Sequence, residues 1–259
     1  MTTTGTRAAR STPRSPFVEL SIANARELIR NRKGSISILF MFGFLFVLIA
    51  LIDAAMPGLG ILRTNLATIA TIGFMAITFL GTAVPIVTLR ERGTLRLFGT
   101  TPVRKGVFIA AQTPVRLVAG VVVAAIVTGT AVAMGSIEAF GLIRLLVTFA
   151  LGLAMFFAFA YLLASRSRNA ELVNNVAVML PIAAMFASGD VFPREVIPQP
   201  VAVVLEALPT TWFVRAAAAD LSGVAPSTPV PILWAMMAAV TAVAAVLAAR
   251  LFVWDDRDR

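Results

Sequence analysis

The sequence predicts an all-α integral membrane protein, and three observations predict it. Of its 259 residues 59% are hydrophobic and only 14% are charged, whereas soluble domains carry about a quarter charged residues. Six apolar runs follow one another, each near the roughly 20 residues that a helix needs to cross a bilayer. The basic residues fall unevenly on the connections between those runs, as the positive-inside rule expects. The chain has no Cys and no His. Disulfides, Cys nucleophiles, Cys/His zinc sites and imidazole bases are therefore excluded. The net charge is +9, and the arginines are spread between apolar runs instead of gathering in one polar domain. That distribution argues for a membrane and against nucleic acid.

Residues 1–15 are rich in Ser, Thr and Arg without apolar periodicity, which predicts a disordered tail. They are not followed closely by the apolar core of a secretory signal. Residues 16–33 differ. Val18, Ile22, Ala25 and Ile29 recur at helical spacing, while Glu19, Arg26, Glu27 and Arg30 fall largely opposite. This amphipathic helix is expected in the membrane interface, the alternative being a helix packed on a soluble partner. The six spans are expected at 34–52, 66–89, 107–134, 142–164, 172–188 and 230–253, with a short tail over 254–259. Pro114 is expected to kink or delay the third.

Orientation rests on Lys and Arg alone. Of 22 such residues, 17 fall on the side holding both termini and the 2–3 and 4–5 connections. Arg63, Arg144, Arg194 and Arg215 fall on the other side, and Arg116 lies within the third span. Both termini are thus expected in the cytoplasm of a plasma-membrane protein. Arg116 has two readings. Its long stem lets it snorkel to the inner headgroups, or its charge faces inward, near the substrate path or a lipid head group. Asn174 and Asn175 in the short fifth run are further candidates for the path or for lipid contact.

The external connection between runs five and six is not hydrophilic. Val203, Val204, Leu205, Trp212 and Phe213 sit in two short apolar pieces split at Pro209. Two short helices dipping back into the bundle as a lid are expected, since irregular backbone at membrane depth must be buried or line a wet cavity. The alternative is a pair of helices lying on the outer leaflet.

Catalytic constellations are missing from the sequence. A P-loop needs Gly-Lys-Ser/Thr after a glycine-spaced turn. Arg32 and Arg104 precede the two lysines, and Gly34 and Gly106 follow them. The C-terminal Asp-Asp-Arg-Asp-Arg has no second segment to complete a metal site, and no carboxylates pair as acid and base. No carboxylate stands mid-span, which weighs against a proton-coupled transporter, and the lack of His weighs against a lipid enzyme. No enzyme activity is expected of the chain itself.

The stretch "RERGTLRLFGTTPVR", Arg90 to Arg104, resembles the first cytoplasmic loop of the type-2 export permeases of ABC transporters. The matching residues are Arg90, Glu91, Gly93, Thr94, Leu95, Thr101 and Pro102. A second similarity lies at Ser188, Gly189, Phe192, Pro193, Pro198, Leu208, Pro209 and Trp212 on the external side. The elbow-plus-six-span plan extends the resemblance to about residues 17–253. It implies that Arg90 to Arg104, with Arg92, Arg96, Leu97 and Phe98 among its residues, is a coupling helix seated on a separate ATP-binding subunit. Arg96 stands where such permeases often carry an acid, which implies different electrostatics at that contact. The second stretch would be an external re-entrant gate. The resemblance further implies two ATP-binding subunits holding ATP and Mg, a second permease chain, and no cofactor in this one. The implied activity is export of small hydrophobic drugs or antibiotics, as in daunorubicin-resistance permeases, with lipid or lipid-linked polysaccharide as the alternative cargo. The Arg- and Ala-rich composition suggests a GC-rich bacterial source.

Overall fold

The computed structural model describes residues 16–30, 32–56, 58–94, 105–187 and 198–252. All regular structure among them is helical. Helix α1 (Pro16–Arg30) precedes α2 (Arg32–Ala55) and α3 (Ile61–Met75). A widened stretch, Ala76–Ala83, joins α3 to α4 (Val84–Glu91). Then come α5 (Lys105–Ala133), α6 (Ala139–Arg166) and α7 (Ala170–Ala187). The short α8 (Gln199–Glu206) and α9 (Pro209–Leu221) lead to α10 (Val230–Leu251).

Five of these units are long and apolar enough to cross a membrane: Ile61–Glu91, Ala111–Ala133, Ala139–Arg166, Ala170–Ala187 and Val230–Leu251. The described apolar part of α2, Phe42–Ala55, is shorter. Helices α8 and α9 meet at 77°. Pro114 and Pro181 both lie inside helices, so Pro114 does not delay α5, which starts at Lys105. The second unit begins five residues before its expected start at Leu66. Gly60 takes the left-handed conformation (φ 60°) just ahead of it, and the Asp53 carboxylate accepts the Leu62 amide at 3.2 Å. A carboxylate there satisfies an orphan amide and complements the positive helix end.

Ile61–Glu91 is the central column. Its most apolar window is 72% buried, against 22–28% for α5, α7 and α10. Polar side chains within it bond locally: Thr71, Thr78 and Thr88 donate to the carbonyls of Ala67, Phe74 and Val84, so these hydroxyls need no water in hydrocarbon, whereas the buried hydroxyl of Thr82 makes no hydrogen bond. Between α3 and α4 the ladder widens, the Val84 amide bonding to Phe79 five residues back. Pro85 follows at once. It has no amide hydrogen for the carbonyl four residues earlier, that of Gly81, and its ring crowds that carbonyl. A helix accommodates such a residue by widening or kinking.

The core is aromatic where α9 enters it. Phe213 is fully buried and packs against Phe74 at 5.8 Å, Phe149 at 6.1 Å and Phe156 at 5.5 Å between ring centroids. Its ring lies over Gly152 of α6, so closely that an added Cβ would stand 2.2 Å from Phe213 Cε2. Small residues let membrane helices approach in this way. Gly152→Val is therefore expected to expel Phe213 and loosen α9, with a loss of about 1–3 kcal/mol as for other overpacked cores. Thermal denaturation in detergent checks this; an unchanged midpoint would show that the ring has somewhere else to go.

Candidate functional site

The Arg90 end of the bundle is built by α4. Arg90 and Glu91 are its last two residues, and their side chains turn toward their own chain. Arg90 Nη1 donates to the carbonyls of Ala164 (2.7 Å) and Ser167 (2.6 Å), and Nη2 donates to that of Ser165 (3.2 Å). These carbonyls end α6, where the chain has no amides left to give them. A cation there also faces the negative end of the helix dipole. The guanidinium lies 5.5 Å from the centre of the Phe252 ring, just past α10. Glu91 works in the opposite sense. Its Oε1 accepts the Ala170 amide at 2.6 Å, the first residue of α7. Asn169 Oδ1 accepts the Leu172 amide of the same helix at 2.8 Å. Two adjacent side chains of opposite charge thus hold the two helix ends that flank the three-residue corner 167–169.

Arg92 and Gly93 are exposed and Thr94 is half-buried. Gly93 has φ 69° and closes the helix, its amide bonding to the Arg90 carbonyl at 2.9 Å. Leu95, Arg96, Leu97, Phe98, Thr101 and Pro102 lie outside the described residues.

Arg116 is buried, 8% exposed. Nε donates to the Gly81 carbonyl, and Nη1 to both the backbone and side-chain oxygens of Gln112. The acceptor is the carbonyl that Pro85 cannot serve. Nearby, Thr113 Oγ1 and Tyr161 Oη share a hydrogen bond of 2.8 Å between α5 and α6. On the other face of α5, Ser21 Oγ and Asn24 Nδ2 of α1 donate to the Ala111 carbonyl at 3.4 and 3.0 Å. The amphipathic pattern of α1 carries no sign of these two polar anchors. Asn174 and Asn175 stand on the surface of α7, apart from Arg116.

At the opposite end, α8 and α9 form a fixed corner. Thr211 Oγ1 donates to the Leu205 carbonyl at 2.7 Å and Trp212 Nε1 to that of Glu206 at 2.9 Å. Arg215 pairs with the Glu206 carboxylate at 2.7 Å. Pro209 is the first residue of α9, so the break falls there as expected. Leu208 precedes it in extended conformation and is half-buried, and Pro198 is exposed ahead of α8. Phe213 is inside the bundle, whereas α8 lies on its surface. Val203 is 65% and Val204 62% exposed, and no residue of α8 is buried. Ser188, Gly189, Phe192 and Pro193 lie outside the described residues. Behind this corner, Arg144 of α6 pairs with Asp220 of α9 through Nε at 3.0 Å and through Nη2. From the sequence Arg144 is only an external charge. Its spacing gave no sign of a partner 76 residues away.

Among the described residues no group of three or more Asp, Glu, His or Cys could hold a metal ion. Among the described residues the arrangement binds helix ends to one another. A search of curated proteins finds no match. The profile of the ABC-2 type transporter family matches residues 19–220, from α1 through the paired Asp220. The chain therefore belongs to the ABC-2 type transporter family: it is a multi-pass membrane permease subunit of an ABC transporter, with the ATPase in a partner subunit.

Proposed function

We propose that this permease exports small hydrophobic or amphipathic compounds, drugs or antibiotics among them, from a bacterial cell. Both termini are in the cytoplasm, by the charge asymmetry of the connections. Two copies of the ATP-binding subunit hold ATP and Mg, and Arg90 to Arg104 seats on one of them. The observation that carries the coupling role is the continuity of Ile61–Glu91. The segment after Glu91 leaves the central column directly, so force applied there enters the middle of the bundle.

A second permease chain completes the path. Asn174 and Asn175 are exposed on α7 beside Leu172 (56%) and Met179 (60%). Amides left unpaired in hydrocarbon cost several kcal/mol each, so this face suits a partner chain or a wet path. A path offering neutral amides favours weakly polar cargo over polyanionic glycans. The α8–α9 corner is the external gate of this reading, re-entrant through α9.

The test is reconstitution with the ATP-binding subunit in liposomes. An intrinsically fluorescent anthracycline is expected to accumulate in the lumen of inside-out vesicles only with ATP and Mg. ATP-dependent translocation of a fluorescent phospholipid without anthracycline uptake would overturn the cargo assignment in favour of lipid.

A further inference from the structure

We infer that Arg90 and Glu91 are positioning residues that carry movement of the Arg90–Arg104 segment into α6, α7 and α10. The inference rests on the reading that this segment meets the ATP-binding subunit. It differs from that reading in what the two charges touch. The resemblance implied a surface offered to a partner. The geometry instead gives both side chains to the chain's own helix ends.

Five contacts fix the arrangement. Arg90 holds the carbonyls of Ala164, Ser165 and Ser167 within 2.6–3.2 Å. Phe252, 4% exposed, lies against its guanidinium. Glu91 holds the first amide of α7. The neighbouring hydroxyls are already committed, Ser165 Oγ to the Leu162 carbonyl and Ser167 Oγ to that of Leu163. The corner between α6 and α7 is therefore gripped from both sides by consecutive residues of one rigid helix. A charge-assisted bond to a helix end is roughly twice as strong as a neutral one. The opposite signs match the opposite dipole ends. A shift or rotation of α4 at Glu91 cannot leave the corner behind unless these bonds break. Since α6 and α7 are joined by only three residues, they move together, and Phe252 brings the end of α10. One contact with the ATP-binding subunit thus reaches four helices, α4 included.

The experiment is hydrogen exchange on the full chain in complex with its ATP-binding subunit in lipid nanodiscs. Exchange is compared with and without Mg and a non-hydrolysable ATP analogue. In the wild-type chain the analogue is expected to change exchange in both 90–104 and 162–173. In Glu91→Ala the response of 162–173 should be lost while that of 90–104 remains. Arg90→Lys keeps the charge but not the fork of donors, and should lose most of the same response without unfolding the chain. A merely structural cap would behave differently. Losing it would speed exchange of the Ala170 and Glu171 amides by about fivefold to tenfold with or without nucleotide, and the nucleotide-dependent difference would survive. A wild-type response confined to 90–104, or a corner response that persists in both variants, would overturn the inference and leave the coupling contact standing. A wild-type complex that binds the analogue yet responds at neither segment would remove the coupling contact, and the inference with it.

Discussion

Arg116→Met is expected to cost the folded chain about 1–3 kcal/mol, the usual penalty for leaving a buried polar group unsatisfied, and Pro85→Ala is expected to return much of it. The reasoning is local. Pro85 cannot donate to the Gly81 carbonyl, and Arg116 Nε does. Take away the guanidinium and that carbonyl faces a core in which Thr82, Ala83 and Ile86 are all fully buried. With alanine at position 85 the chain regains an amide four residues after Gly81, and the carbonyl can be served from within its own helix. The two substitutions should therefore be non-additive, with a coupling of the order of 1 kcal/mol or more as for directly interacting sites. Denaturation midpoints of the single and double variants in detergent decide it. If Arg116→Met costs the same in both backgrounds, Gly81 is not what Arg116 is there to satisfy. The widened stretch Ala76–Ala83 should then be put down to Pro85 alone.

The location of the long helices was legible because hydrocarbon tolerates only satisfied backbone, and that demand writes long apolar runs into the sequence. Pro209 marked the break between α8 and α9 for the same reason. What apolarity could not tell is protein from lipid. Lipid tails are as apolar as leucine, so Phe213, which is buried in the bundle, and Val204, which is on its surface, look alike in sequence. The same limit applied to the charges. Arg90 and Glu91 stood out by motif, yet their partners are backbone groups 74–79 residues away with no sequence signature. Arg116 was conspicuous as an ionisable residue within an apolar run. Its acceptor was hidden, because the clue lay in Pro85 of another helix.

Arg144→Met is expected to be the most damaging exchange at the other end, at about 3–5 kcal/mol, the usual cost of stranding a buried charge. The pair is asymmetric. The side chain of Asp220 is 1% exposed and that of Arg144 39%. Without Arg144 the carboxylate has neither its cation nor water, and its second oxygen is already buried without a hydrogen bond. Asp220→Asn reverses the situation. It leaves Arg144 with access to solvent and an amide oxygen still in reach, so its cost should stay near that of one ordinary hydrogen bond, about 0.5–1.5 kcal/mol. The double variant Arg144→Met/Asp220→Asn should recover most of the loss, since no charge remains buried. The pair also anchors α9, whose Phe213 fills the aromatic core. Arg144→Met should therefore quench or shift the fluorescence of Trp212, which sits on the same helix and bonds to the Glu206 carbonyl. Equal losses for the two single variants would show that Arg144 is held in place as firmly as Asp220, and that the exposed half of the pair is not free to find water.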